Sequence, residues 1–88
     1  MITDFTNSFL KDIESILDSK IKAAIMDVIN EAEAAPNLRS IKNITKLKGY
    51  RSCYRIKMGD YRFGLKFENS TLTFAAFNHR KDIYRYFP

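Results

Sequence analysis

Arg55, Lys57, Arg62 and Arg80, with His79 beside the last of them and Tyr84 four residues beyond it, are the side chains of this chain best suited to chemistry. A guanidinium holds a phosphate in a two-pronged fork of hydrogen bonds. A lysine that has given up its proton is a base, and an imidazole reaches that state more readily near neutral pH. A tyrosine ring stacks on an unpaired nucleobase. The set therefore suits a phosphodiester better than it suits a metal or an acyl group. Other chemistries lack their residues. There is no Gly-rich phosphate loop and no Ser-centred nucleophile motif. Cys53 and His79 are too few to ligate zinc, and Asp60 and Glu68 fall at or near turns, so neither a metal nor any other cofactor is expected. Each residue also has an ordinary role open to it. Arg and Lys on a sheet face discourage aggregation, a strand-end His is commonly a hydrogen-bonded surface group, Tyr84 could pack at a core edge, and Cys53 could be a small buried hydrophobe.

Position depends on the elements that carry these residues. Tyr54, Ile56 and Met58 alternate with Arg55 and Lys57, Gly59-Asp60 supplies a turn, and Phe63, Leu65 and Phe67 alternate with Arg62, Gly64, Lys66 and Glu68. Asn69-Ser70 is a second turn, and residues 71–78 read as a third strand. Side chains two apart on a strand share a face, so Arg55, Lys57, Arg62 and Lys66 are expected to collect on one side of an antiparallel meander whose other side is apolar. Upstream the period is helical. Thr6 or Asn7 can cap a helix with Phe9, Ile13, Ile16 and Leu17 on one face. Asp18 or Ser19 can cap a second, striped by Ile21, Ala24, Ile25, Val28, Ile29 and Ala32 and ended by Pro36. Residues 2–5 could form a very short strand, residues 37–48 read as a loop with one helical turn near 40–43, and residues 80–86 as a short closing helix or turn. The predicted fold is α+β: an N-terminal two-helix hairpin packed on a three- to four-stranded antiparallel sheet.

Eighty-eight residues make one domain, 1–88, with twelve Phe and Tyr rings to fill a modest core. One cysteine forms no intrachain disulfide, no apolar run is long enough for a membrane span, and the N-terminus lacks a signal-peptide pattern, so the expectation is a cytoplasmic protein with no membrane partner. Charge is unevenly spread. Residues 1–36 carry three Lys and seven Asp or Glu, while residues 37–88 carry twelve Lys or Arg and three Asp or Glu. A basic second half is suited to a polyanion.

The stretch Leu47-Lys-Gly-Tyr-Arg-Ser-Cys-Tyr-Arg-Ile-Lys-Met-Gly-Asp-Tyr-Arg62 and the closing Asn78-His-Arg-Lys-Asp-Ile-Tyr84 resemble the signature of the RelE/ParE superfamily of toxins. The resemblance covers nearly the whole chain and implies a RelE-like fold and the toxin half of a type II toxin–antitoxin pair. For the RelE branch it implies a ribosome-dependent mRNA endoribonuclease that inhibits translation without a metal, and for the ParE branch a DNA gyrase inhibitor that acts by protein binding. By motif position Arg55 and Lys57 match the basic pair of the central strand, Arg62 the phosphate-gripping arginine, and Arg80 and Tyr84 the C-terminal basic and aromatic residues. The roles implied are catalytic for Lys57, Arg62, Arg80 and Tyr84, and RNA-binding for Arg55, Lys66 and His79. Lys57 is then the base for the 2′-hydroxyl, with His79 its rival. Arg55 departs from the pattern, since a lysine is common there and an arginine is a poor base. The partners implied are a cognate antitoxin, in a toxin–antitoxin hetero-oligomer, and the ribosome with its mRNA.

Overall fold

The computed structural model describes residues 1–88. Strand β1 (Ile2–Phe5) leads into helices α1 (Asn7–Glu14) and α2 (Ser19–Ala34). A single 3₁₀ turn (Leu38–Ser40) precedes β2 (Ile44–Lys46), β3 (Cys53–Met58), β4 (Tyr61–Glu68), β5 (Thr71–His79) and a closing α3 (Ile83–Tyr86). The five strands form one sheet in the order β1-β5-β4-β3-β2.

The expected three- or four-stranded antiparallel sheet is corrected to a five-stranded mixed one. Residues 2–5, read as a possible short strand, form β1, which joins the sheet parallel to β5, Ile2 opposite Thr71 and Phe5 opposite Phe74, so the helix pair follows a strand of the sheet. β2, expected as loop, pairs antiparallel with β3 through Ile44 opposite Ile56. Three residues are too few for alternation to show in sequence. Both remaining hairpins are two-residue turns. Asn69 and Ser70 sit at φ 53° and 58°, the left-handed geometry that matches the twist of paired strands.

Caps set the helix starts. The Thr6 hydroxyl oxygen accepts from Phe9 N–H at 3.0 Å, and Asp18 Oδ1 accepts from Lys20 and Ile21 N–H at 2.8 and 3.3 Å. α1 stops at Glu14, shorter than its apolar spacing suggested, because the chain must turn before Asp18 can begin α2. Leu17 is left 89% exposed. The α2 stripe lies as predicted, with Ile25, Ile29 and Ala32 buried. Met1's amino group donates to the carbonyls of Glu33 (2.8 Å) and Ala35 (3.1 Å), tying β1 to the end of α2.

The main core lies between α1, α2 and one sheet face: Phe9, Ile25, Ile29, Ile56, Phe63, Leu65, Leu72, Phe74 and Phe77 are all buried there. Each such side chain contributes about 1.5–3 kcal/mol relative to exposure. Rings meet throughout, with Phe63 and Phe77 centroids 4.9 Å apart and Tyr61 stacked on Phe77 at 5.0 Å. A second, smaller cluster on the opposite face joins Cys53 and Ala76 to Ile83 and Phe87. Gly64 is what lets α3 dock. A Cβ there would stand 2.5 Å from the Phe87 ring.

β5 contains the irregularity that matters most for the site. Gly64 pairs with Ala76 but Leu65 pairs with Phe74, so Ala75 is an extra residue, a β-bulge. Before it Leu72 and Phe74 face the helices; after it Phe77 and His79 do. The Thr6 hydroxyl donates to the Ala75 carbonyl (3.1 Å), and Asp12 Oδ2 accepts from Phe77 N–H (3.0 Å) where β1 has ended. No helix is long and apolar enough to cross a membrane.

Candidate functional site

Lys57 and Arg62 are direct partners across the β3–β4 ladder, on the face turned away from α1 and α2. Arg62 is in turn paired with Asn78 on β5. The three side chains form one row across three strands, and cross-strand partners stand about 4.5–5.5 Å apart at Cβ. Lys57 is exposed and Arg62 half-buried. Arg55, two residues back along β3, faces the same way.

Each cation is held differently. Arg62 Nη1 donates to the carbonyls of Gly59 (2.7 Å) and Tyr61 (2.9 Å), which folds its guanidinium over the turn beside Lys57. Arg55 Nη1 donates to the Tyr84 hydroxyl at 2.5 Å, so α3 and β3 are joined across the small second core. Arg80 follows β5. Its N–H donates to the Asp60 carbonyl at 2.7 Å and its guanidinium lies 3.8 Å from the Asp60 carboxylate, which brings it to the Gly59-Asp60 turn near Arg62. That ion pair is exposed and worth at most about 1 kcal/mol. Tyr84 is 54% exposed, leaving its ring free for a stacking partner.

Two expected residues stand elsewhere. His79 lies on the helix side of the sheet. It pairs with Tyr61, its ring edge-on at 5.8 Å, and its Nδ1 accepts from Lys81 N–H at 3.2 Å. Simple alternation from Leu72 would have put His79 with the cations; the extra residue Ala75 reverses it. Lys66 keeps the predicted face, but Phe87 over Gly64 stands between it and Arg62 along β4. It is exposed at the far end of the strand.

Asn78 was not singled out from sequence, for the same reason: its facing depends on the bulge. Its Oδ1 and Arg55 Nε have no hydrogen-bond partner within the protein. Both atoms belong to the cationic face. None of the molecule's cavities is lined by Lys57, Arg62 or Arg80, so the row is an open surface.

Comparison with known proteins follows the same lines. The family model described as the ParE toxin of the type II toxin–antitoxin system, parDE, matches residues 4–84. Toxin RelE3 of Methanocaldococcus jannaschii is 38% identical over 85 residues, 96% of each chain. The crystal structure of the RelB-RelE antitoxin-toxin complex from Methanococcus jannaschii superposes with a TM-score of 0.79 at 36% identity, covering 97% of this chain and 99% of that one. The archaeal RelE-RelB complex from Pyrococcus horikoshii shares the fold, with a TM-score of 0.70 at 18% identity over 90% of this chain and 93% of that one.

Proposed function

The chain belongs to the RelE/ParE superfamily of type II toxin–antitoxin toxins, and on that premise we propose that it is a ribosome-dependent mRNA endoribonuclease that inhibits translation. The observation that carries this reading is the direct pairing of exposed Lys57 with half-buried Arg62 on the open sheet face, with Arg80 anchored at the adjoining turn. Three cations converging at one point suit the negative charge that grows on a phosphodiester as it is cleaved.

In this mechanism Lys57 Nζ takes the proton of the 2′-hydroxyl, and the freed oxygen attacks the neighbouring phosphorus. Arg62 spans the non-bridging oxygens, where negative charge grows. The bond from phosphorus to the 5′-oxygen breaks, Arg80 stabilises that oxygen, and a proton from water completes it. The products are a 2′,3′-cyclic phosphate and a 5′-hydroxyl, and no metal is required. Tyr84 stacks on a base, and its hydroxyl fixes Arg55 alongside the strand. His79, on the other side of the sheet, is assigned no part in the proton transfer. The open site explains the ribosome. With no cleft to orient a nucleotide, the in-line geometry must come from the surface on which the mRNA lies.

The cognate antitoxin is read as an acidic segment that orders over the cationic face in a hetero-oligomer. The matched family model is described as a ParE toxin, which keeps gyrase inhibition as the second reading. One experiment separates them. Purified chain is added to a cell-free translation reaction and new mRNA ends are mapped, with DNA supercoiling by gyrase assayed in parallel. The expectation is cleavage within codons on translating ribosomes. Lys57→Ala should lose it by about 10²–10⁴-fold, the range for removing a positioned base, and His79→Ala should keep it. Normal cutting by Lys57→Ala beside a dead His79→Ala would reverse the assignment. Loss of supercoiling with intact mRNA would establish the gyrase reading.

A further inference from the structure

Residues 34–59 contain seven Lys or Arg and no acid. Two of these cations, Arg55 and Lys57, belong to the site already described, and Arg39 and Lys42 precede β2; the remaining three group at the loop from β2 to β3. There Lys48 and Arg51 are exposed, Tyr50 between them is 51% exposed, and Lys46 leads in from β2. Together they line an open depression of about 450 Å³. Lys66, opposite Cys53, adds a further exposed cation at the same end of the sheet. None of these forms an ion pair, since the chain's one ion pair is Arg80 with Asp60. Glu68, next to the Phe67 N–H that donates to the Ser52 carbonyl, forms no ion pair with them.

The loop springs from the side of the sheet that holds the site. Leu47 and Cys53, at its two ends, pack with Ile83 and Phe87. Four residues along β3 separate Cys53 from Lys57, about 13 Å at 3.3 Å per residue. A stacked strand advances about 3.4 Å per nucleotide, so roughly four nucleotides span the gap. Cations that only protect a sheet edge do not call for an exposed ring among them. A tyrosine flanked by Lys48 and Arg51 offers stacking between two phosphate contacts, the combination that holds unpaired bases.

We propose that the Leu47–Ser52 loop is a second grip on single-stranded RNA, holding the substrate strand about four nucleotides from the cut. This deepens the nuclease reading and rests on it. The grip explains how so open a site keeps its strand in place, with Lys48 and Arg51 on phosphates and Tyr50 under a base.

The test uses labelled, fully 2′-O-methylated RNA, which cannot be cut, as three- and twelve-nucleotide single strands and as a twelve-base-pair duplex. Affinity is followed by fluorescence anisotropy against salt. Tyr50→Ala should weaken the twelve-mer about tenfold and leave the three-mer unchanged. Lys48→Gln with Arg51→Gln should lower the salt slope for the twelve-mer by about 1.4, at about 0.7 per phosphate contact on a single strand. All three positions are exposed, so the variants keep the fold. Unchanged affinity and slope overturn the grip while leaving cleavage by Lys57 intact, and so does a wild-type chain that binds no strand of either length. Equal loss on the duplex overturns the claim for unpaired RNA. If the variants keep RNA affinity but lose affinity for the antitoxin, the loop serves that acidic protein and the proposal falls.

Discussion

On the helix side of the sheet, Phe9, Phe63, Phe74 and Phe77 are at most 2% exposed and each ring meets another ring. On the α3 side the buried set shrinks to Cys53, Ala76, Ile83 and Phe87, and along β3, β4 and β5 the next outward residues are already Arg55, Arg62 and Asn78. The two faces are made by the same strands. What separates them is which positions alternation assigns to each. A chain of this size cannot cover both faces with large apolar residues. It concentrates its rings under α1 and α2 and leaves the other face to charge, with only a short helix to close part of it. The two buried polar atoms without partners both lie on that less finished side.

Substitutions on the two faces should therefore separate stability from activity. The largest expected effect is Phe63→Ala, which empties the centre of the ring cluster and should cost about 3–5 kcal/mol in urea unfolding. That is a large share of a typical total of about 5–15 kcal/mol. Lys57→Ala, measured beside it, should stay within about 0.5 kcal/mol, as exposed positions usually do. Equal losses would erase the contrast. Next comes Gly64→Ala, whose methyl would collide with Phe87. Overpacking of this kind costs about 1–3 kcal/mol. Here the strain should be relieved by loosening α3, seen as faster hydrogen exchange at Ile83–Phe87 with the β5 amides still protected. Uniform destabilisation would mean that α3 belongs to the main core after all. The smallest is Asp60→Asn. Both members of its pair with Arg80 are more than half exposed, so unfolding free energy should move by less than about 1 kcal/mol. A larger drop would show that the turn is a structural joint as well as the place where Arg80 is held.

Most of this division could be read from the sequence because it rests on period two. Tyr54, Ile56 and Met58 against Arg55 and Lys57, and Phe63, Leu65 and Phe67 against Arg62 and Lys66, alternate without interruption, and the ladder keeps Lys57 opposite Arg62. The α2 stripe was legible because sixteen helical residues repeat it several times. The misses have physical causes. β2 is three residues long, and although residues 2–5 read as a short strand, the parallel partner of β1 lies sixty-nine residues away, a separation that no local pattern encodes. Ala75 is the most instructive. Two adjacent alanines in Phe74-Ala-Ala-Phe77 give no sign of which is the extra one, yet that residue decides whether His79 or Asn78 joins the cations. The family resemblance named residue types at motif positions, but it could not show that Arg62 is bonded to turn carbonyls or Arg55 to Tyr84.

The parallel pairing of β1 with β5 also sets an order of events during synthesis. Ile2 to Phe5 are made sixty-nine residues before their hydrogen-bonding partners, Thr71 to Phe74. Until then α1 and α2 have no finished sheet to cover, and their apolar stripes stay wet. Contacts so distant in sequence make folding slower. The sheet therefore cannot close along β1 before Thr71 to Phe74 are made, and the row of Lys57, Arg62 and Asn78, which needs β5 in place, is completed no earlier.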